Sequence, residues 1–446
     1  MPVNQLAREG FGAELLIGGN QSGWCMRNFK PPFNTVFIVF LCQSALCFFS
    51  CGLQEKSAAL LWTDRPEFVF YAEQFNASQE RYKVEVQYYE SPAQKLAEAR
   101  EYPDIAAASW LKGASTRVMF QPLDELFSND SIIRSSFYPR LLALGNIEDK
   151  QYLLPVSFNI PAMVFDSDYS QSMSNPFTID MEEIMERGKE YNSETSGVYT
   201  RMGFSPSWND EFLFIAASLF NTGFREAAPI AWDPAALERA MVYVQKWIIE
   251  ANTSIQAEDD FIFKYLYDPP AKLVSSGRIL FTCMDSSEIF TLAEERRAAM
   301  DFRWIAEKNS IPVDEGAIYY GIHKKTKAKQ AALAFTRWFF QADTQRLLLE
   351  TSKAKRLLET SFGIGGGFSA MRTVTEQVFP HFYPSLLGRM PPESFLSPPA
   401  ILPRNWMTLK EKVILPYLRE RIRNTNGEEI RSLERRITDW YRFNRE

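Results

Sequence analysis

Ala58 to Ala108 reads AALLWTDRPEFVFYAEQFNASQERYKVEVQYYESPAQKLAEAREYPDIAAA, and the changes of period along it decide the fold. Ala58 to Trp62 is a short apolar run, ended by the polar turn Thr63-Asp64-Arg65-Pro66. Pro66 suits the first turn of a helix, where its missing N–H costs nothing. Glu67 to Phe75 reads as that helix, and Asn76 closes it. Lys83 to Tyr89 then alternates, with Val84, Val86 and Tyr88 on one face, which is the period of a strand. A charged helix from Ala93 to Arg100 and a buried strand from Pro103 to Ala108 follow. This strand–helix–strand–helix–strand order implies right-handed crossovers and a parallel or mixed sheet covered on both faces.

Downstream, Leu153 to Phe165 (LLPVSFNIPAMVF) is a second extended stretch, interrupted by Pro155 and Pro161. Proline sits badly in a central strand, so this segment is expected to bend or to pass between lobes. Thr178 to Glu250 is mostly helical in pattern. Leu237, Met241, Val244 and Ile248 share one face there, behind an Asp233-Pro234 cap and first turn. Leu280 to Met284 and Phe302 to Ala306 read as short strands, and a polar loop leads on to Gly316. Ala331 to Phe340 is an amphipathic helix, and Gly363 to Gly367 is the least constrained stretch of the body. Ile430, Leu433, Ile437 and Trp440 make a C-terminal docking stripe. No internal repeat is present.

Upstream, Thr35 to Phe49 is an apolar, uncharged run, too short for a spanning helix of about 20 residues and preceded by Arg27 and Lys30. It reads as the core of a signal peptide, with Met26 as the start and residues 1–25 as an extension. The run ends in Ser50-Cys51-Gly52, which resembles a relaxed bacterial lipobox, so Cys51 is expected to carry lipid and to become the N-terminus. An uncleaved anchor, or a secretory peptide cut nearby, is the other reading. Four of five cysteines lie in the first 51 residues; Cys283 reads as a buried apolar thiol.

At 446 residues the chain implies two or three domains. Its net charge of -6 becomes -7 without residues 1–50, since 49 - 3 basic and 55 - 2 acidic side chains remain. That balance argues against a nucleic-acid partner, which needs concentrated positive surface. The histidines, His323 and His381, stand in no metal-ligating pattern, and neither a GxSxG elbow nor a P-loop occurs. GIGGG lacks the GxGxxG spacing, so no cofactor is expected. Asp210-Glu211 and Asp285 with Glu288 could serve paired-carboxylate glycoside hydrolysis. Helix caps and solvated faces are their simpler reading.

What remains is a set of aromatic residues beside short polar groups at strand ends and in loops. Trp62 with Asp64, Trp110, Phe158-Asn159, Trp208-Asn209 and Tyr319-Tyr320 compose it. Flat apolar faces with a few fixed polar groups suit a polar, ring-shaped ligand.

In this order the pieces resemble the family 1 extracellular solute-binding proteins, the sugar-binding receptors of ABC importers. LLWTDRPEF is similar to that family's first strand and binding loop, and YPDIAAASWL to the later strand whose end reaches the ligand. FQPLDELF resembles the segment usually found next, and QYLLPVSFNIPAMVFD the first interlobe crossing. GFSPSWNDEFLFIAASLF resembles the second-lobe helix that begins at the cleft, and GRILFTCMD the strand returning towards it. EGAIYYGIHKKTKAKQAALAFTRWFF is similar to the re-entry into lobe one.

The resemblance implies a two-lobe, periplasmic-binding-protein-like α/β fold, each lobe a mixed sheet flanked by helices, with ligand in the interlobe cleft. Residues 57–159 plus 311–341 would form lobe one, and 160–310 plus 342–446 lobe two. Trp62, Asp64, Trp110, Asn159, Trp208 and Tyr320 would line the cleft, with Tyr319 replacing Tyr320 if the strand register is shifted by one. Closure would turn about the crossings near Phe158 and Ile311. The partners implied are a small solute (a mono- or oligosaccharide), ABC permease subunits and, through the Cys51 lipid, the outer face of the cytoplasmic membrane. A surface-anchored glycoside hydrolase and a binding fold retained as sensor or scaffold are the rival readings.

Overall fold

The alternation that opens the body becomes three parallel strands, β1 (Ser57–Thr63), β2 (Tyr82–Tyr88) and β3 (Ile105–Ala108). α1 (Glu67–Ser78) and α2 (Pro92–Glu98) make the crossovers. α1 buries Phe68, Tyr71, Ala72 and Phe75, an i, i+3, i+4, i+7 stripe that holds it on the sheet. In this computed structural model residues 57–444 are described, apart from 130, 229 and 426. The leader and Cys51 lie outside the described residues.

The proline-interrupted stretch splits into β4 (Leu154–Phe158) and β5 (Pro161–Asp166), which enter different sheets. Asn159 and Ile160 alone carry the chain across. Beyond them come β6 (Thr178–Ile179), α3 (Met181–Tyr191), α4 (Asp210–Leu219), α5 (Pro234–Asn252) and α6 (Ile255–Phe263). The Asp233 carboxylate caps α5 by accepting from the N–H groups of Ala235 and Ala236. β7 (Thr282–Asp285), α7 (Ser286–Thr291) and β8 (Met300–Ile305) complete this half. The chain returns through β9 (Ile311–Pro312) to β10 (Ile318–Ile322) and α8 (Lys329–Phe339). α9 (Ala342–Ala354), β11 (Phe368–Ser369), β12 (Leu396–Ser397), α10 (Leu415–Arg423) and α11 (Leu433–Phe443) follow.

The first sheet runs β11-β4-β10-β3-β1-β2, with β10 antiparallel to β3 and β4. The second runs β7-β5-β8-β6, with β5 antiparallel to both neighbours. This is the expected two-lobe arrangement of mixed sheets. Along β5 the side chains alternate: Met163 and Phe165 join the helical core around α4 and α5, while Ala162 and Val164 join the core of the first sheet. The second sheet is therefore covered on both faces.

Residues 342–446, expected together in lobe two, divide between the cores. Leu348, Leu349, Phe362, Phe368 and Phe379 pack with the first sheet, and β11 is hydrogen-bonded to β4. Trp406, Leu409, Ile414, Leu418 and Ile437 pack with the second. The segment has no single period, so its change of partner left no mark in the hydrophobic pattern. Among the described residues no helix is long and apolar enough to cross a membrane.

Candidate functional site

The C-terminal ends of β1 and β3 open onto a cavity of about 790 Å3. Arg65, Ser109 and Trp110 line it from the first lobe. From the second come Asn209, Phe214, Ile215, Met284, Asp285 and Glu288. Pro161 and residues 312–316 contribute from the two crossings, and residues 397–400, Leu402, Trp406 and Lys410 from the C-terminal region. Ligands of open α/β sheets bind beyond the carboxyl ends of the strands, where this cavity lies.

The wall is held by its own polar groups. The Asp64 carboxylate accepts from the Ser109 N–H at 3.1 Å and from its hydroxyl at 2.5 Å, tying the end of β1 to the end of β3. Trp110 follows with φ of 61°, a left-handed conformation that a bulky side chain rarely adopts. Such strain persists only where the surroundings over-determine it, and it collects at binding sites. The ring is half-buried and rests against both cores.

On the opposite wall, Lys410 Nζ stands 2.6 Å from Glu211 and 2.9 Å from Glu315. Burial works against the Lys410 ammonium, but Glu315 and Glu211 outweigh it and hold its pKa above the ordinary lysine range. Burial likewise pushes the Glu315 carboxyl up, opposed by Lys410. Behind the wall, Lys112 is buried and makes no hydrogen bond through Nζ, which sits 4.2 Å from the centre of the Tyr319 ring. Burial brings its pKa down to about 8, against the pull of Asp314 and Glu315. Asp285 accepts from the Glu288 N–H while Glu288 accepts from that of Asp285, a capping box on α7. Burial pushes the Glu288 carboxyl up, in spite of that hydrogen bond. Among the described residues no group of three or more His, Cys, Asp or Glu side chains could hold a metal ion.

Residues 71–354, more than half of the chain, match the family of bacterial extracellular solute-binding proteins. The chain belongs to that family. No curated protein sequence matches it significantly. An ABC substrate-binding protein of Listeria monocytogenes, solved with cycloalternan, superposes with a TM-score of 0.58 at 12% identity, covering 86% of this chain and 98% of that one. A cyclic α-maltosyl-1,6-maltose binding protein of Arthrobacter globiformis gives 0.55 at 16% identity, over 85% and 96%. The maltose/maltodextrin-binding domain of Bdellovibrio bacteriovorus, bound to maltotriose, gives 0.54 at 13% identity, over 87% and 100%. These likenesses establish the fold.

In this solute-binding protein the six residues singled out from sequence have separate fates. Trp110 lines the cavity, and Asp64 holds Ser109 in its wall. Asn159 sits at the junction of the lobes: its side chain accepts from Ser286 at 2.6 Å and donates to Gly366 at 3.0 Å, and its carbonyl accepts from Asp314 at 2.9 Å. It is a staple between the crossings and not a wall residue. Trp62 is buried, donating to Gln87 at 3.0 Å and meeting Tyr89 edge-on, because its register in β1 points it back over the sheet. Trp208 stacks on Phe261 and donates to the Glu258 carbonyl, and its neighbour Asn209 reaches the cavity instead. Tyr320 is buried against α8, its hydroxyl 2.7 Å from that of Thr336. Tyr319 does not replace it, since its hydroxyl donates to the Leu141 carbonyl. β10 is an inner strand covered on both faces, so neither register brings a tyrosine to ligand.

Sequence reasoning missed Arg65, Asp314, Glu315, Lys410 and the wall at 397–402. Arg65 adjoins a residue that was chosen. The others had no local signal, for Lys410 meets Glu211 across 199 residues of chain.

Proposed function

We propose that this chain is the substrate-binding component of an ABC importer, capturing a small polar solute, a carbohydrate by class, and presenting it to a permease. The observation that carries the reading is the cavity of about 790 Å3 bounded by both lobes and both crossings. It falls within the range of roughly 300–1,000 Å3 usual for small-molecule sites. Trp110 supplies one stacking face; Ser109, Asn209 and the lone pairs that the wall carboxylates keep beyond their caps and ion pairs supply hydrogen-bonding groups for hydroxyls. In the three solved relatives the bound or named ligand is an oligosaccharide.

We take lobe one as residues 57–159 and 313–397, and lobe two as residues 160–310 and the chain from 401 onward; the two separate sheets and the division of the C-terminal region between the cores support this reading. The protein works by binding, without covalent chemistry. The carboxylates that a hydrolase would need are engaged: Asp285 and Glu288 cap each other, Asp210 pairs with Arg419, and Glu211 pairs with Lys410. Cys51 carries the lipid that holds the protein on the outer face of the cytoplasmic membrane. Mass spectrometry of the native protein tests this, and an unmodified N-terminus elsewhere sinks it.

A thermal-shift screen of mono- and oligosaccharides tests the central reading. Ligand at about 100 times its Kd adds about 2.7 kcal/mol to stability, an easily read shift. Hits should then be followed by chromatography of the same mixtures. Turnover of a hit would move the protein to the hydrolase reading, and a blank carbohydrate screen alongside hits among other solutes would overturn the ligand class.

A further inference from the structure

Behind the crossings the chain from Leu357 to Ser397 packs against both sheets, and its last residue, Ser397, reaches the cavity wall. β11 in this segment is hydrogen-bonded to β4 of the first sheet, and Phe368 meets Phe158 at 5.7 Å between ring centres. The second sheet and α7 meet the same residues from the other side. Phe290 of α7 stacks on Phe362 at 4.7 Å and lies 5.2 Å from Tyr383, while Trp304 of β8 lies 5.9 Å from Phe368. Phe362, Phe368, Phe379 and Tyr383 pack on one another, all buried.

Polar ties pin this wedge to both lobes. Trp304 Nε1 donates to the Arg389 carbonyl at 2.8 Å. The Arg389 guanidinium pairs with Asp301, which also holds Arg303 at 2.8 Å. A few residues further on, β12 pairs in parallel with β9, the strand of the second crossing. Gly366, with φ of 78°, offers its carbonyl to Asn159 in the first crossing. One segment thus contacts both sheets and both crossings.

We propose that residues 357–397 form a buttress behind the hinge that sets the angle between the lobes, so that the lobes turn only when its aromatic packing shifts. Packed aromatic interiors are bistable and do not deform smoothly. Rotation in either direction would compress the wedge or open a gap within it. The ligand-free protein therefore holds one lobe angle, with any other a minor state. This concerns the fold and holds whatever the solute is.

The test is a distance measurement on the full-length chain without ligand. Nitroxides are attached through a ketone-bearing amino acid placed at Glu98 in α2 and at Lys189 in α3, both exposed, one on each lobe. Pulsed electron resonance should give one narrow distance. Phe362→Ala, which empties the centre of the wedge, should broaden it or add a second distance. Arg389→Met should do the same by releasing the tie to Asp301, without a cavity in the core, and covers the case in which Phe362→Ala fails to fold. A broad or double distribution in the parent protein overturns the proposal. So does an unchanged distribution in every variant whose melt shows that it folds.

Discussion

Lys410→Met isolates the charge cluster in the cavity wall. Lys410 and Glu315 are about nine-tenths buried, at 9% and 11% side-chain exposure, whereas Glu211 keeps 55% and stays solvated when its partner goes. Removing one member of a buried ion pair typically costs about 3–5 kcal/mol, because the other is left charged without compensation. An unfolding entropy of about 2.1 cal/mol/K per residue gives roughly 0.8 kcal/mol/K for a body of roughly 390 residues, so a loss of about 4 kcal/mol lowers Tm by about 5 °C.

The pH dependence follows from the stranded carboxyl. Burial already raises the Glu315 pKa, and without Lys410 its main opposing charge is gone, leaving only the more distant Lys112. A group whose folded pKa lies above its unfolded value gives stability that is full below the unfolded pKa and lost as pH rises through the folded one. The variant should therefore lose most near pH 7 and recover towards pH 5, as Glu315 takes up its proton. Lys410→Met/Glu315→Gln, which removes the stranded charge, should regain most of the loss at pH 7. Scanning calorimetry of the three proteins at both pH values is the assay. A Tm loss below about 1 °C, an equal loss at the two pH values, or a double variant no better than the single one refutes the reasoning.

Trp62→Ala and Trp110→Ala should separate core from cleft. The first should lose roughly 3–5 kcal/mol of stability and leave Kd unchanged, and the second should weaken binding of a confirmed solute more than about tenfold with a smaller change in Tm. Calorimetric titration beside thermal melts reads both, and the opposite pattern would contradict the placement. Cys283 lines the cavity, and burial pushes its thiol pKa well up, so its alkylation should be slow and slower still with solute bound. Peptide mass spectrometry follows it, and labelling indifferent to solute would place the ligand elsewhere. Asp104 accepts from Leu60, Thr326, Lys327 and Ala328, and these bonds outweigh burial to hold its pKa below the usual value. A lowered carboxylate pKa gives stability present above the unfolded value and lost as pH falls through the folded one. Asp104→Asn should therefore melt lower than wild type at pH 7, with the gap narrowing in acid melts; a constant gap would rule this out.

The parts of the fold legible in the sequence were those with a period of their own. β1, α1 and β2 each keep one period over seven residues or more, and the proline pair at 155 and 161 marked the crossing at Asn159. The buttress keeps none over its length, being turns, two-residue strands and one irregular helical stretch over residues 372–382, with apolar side chains that face two sheets in succession. The site was legible only where it touches the end of a strand, as at Asp64 and Trp110. Trp62 and Trp208 show why an aromatic residue is a poor marker: a large ring gains most by burial, and the core takes it unless the backbone forbids. At Trp110 the backbone does forbid, for the left-handed turn after β3 swings the ring out of the sheet. Short polar residues are held by a different rule. Asn209 caps α4 by accepting from the Glu211 and Phe212 N–H groups, and that duty fixes it at the helix start, where the cavity is. A residue bound to an element's end stays at the rim of the cleft, while its aromatic neighbour is free to turn inward.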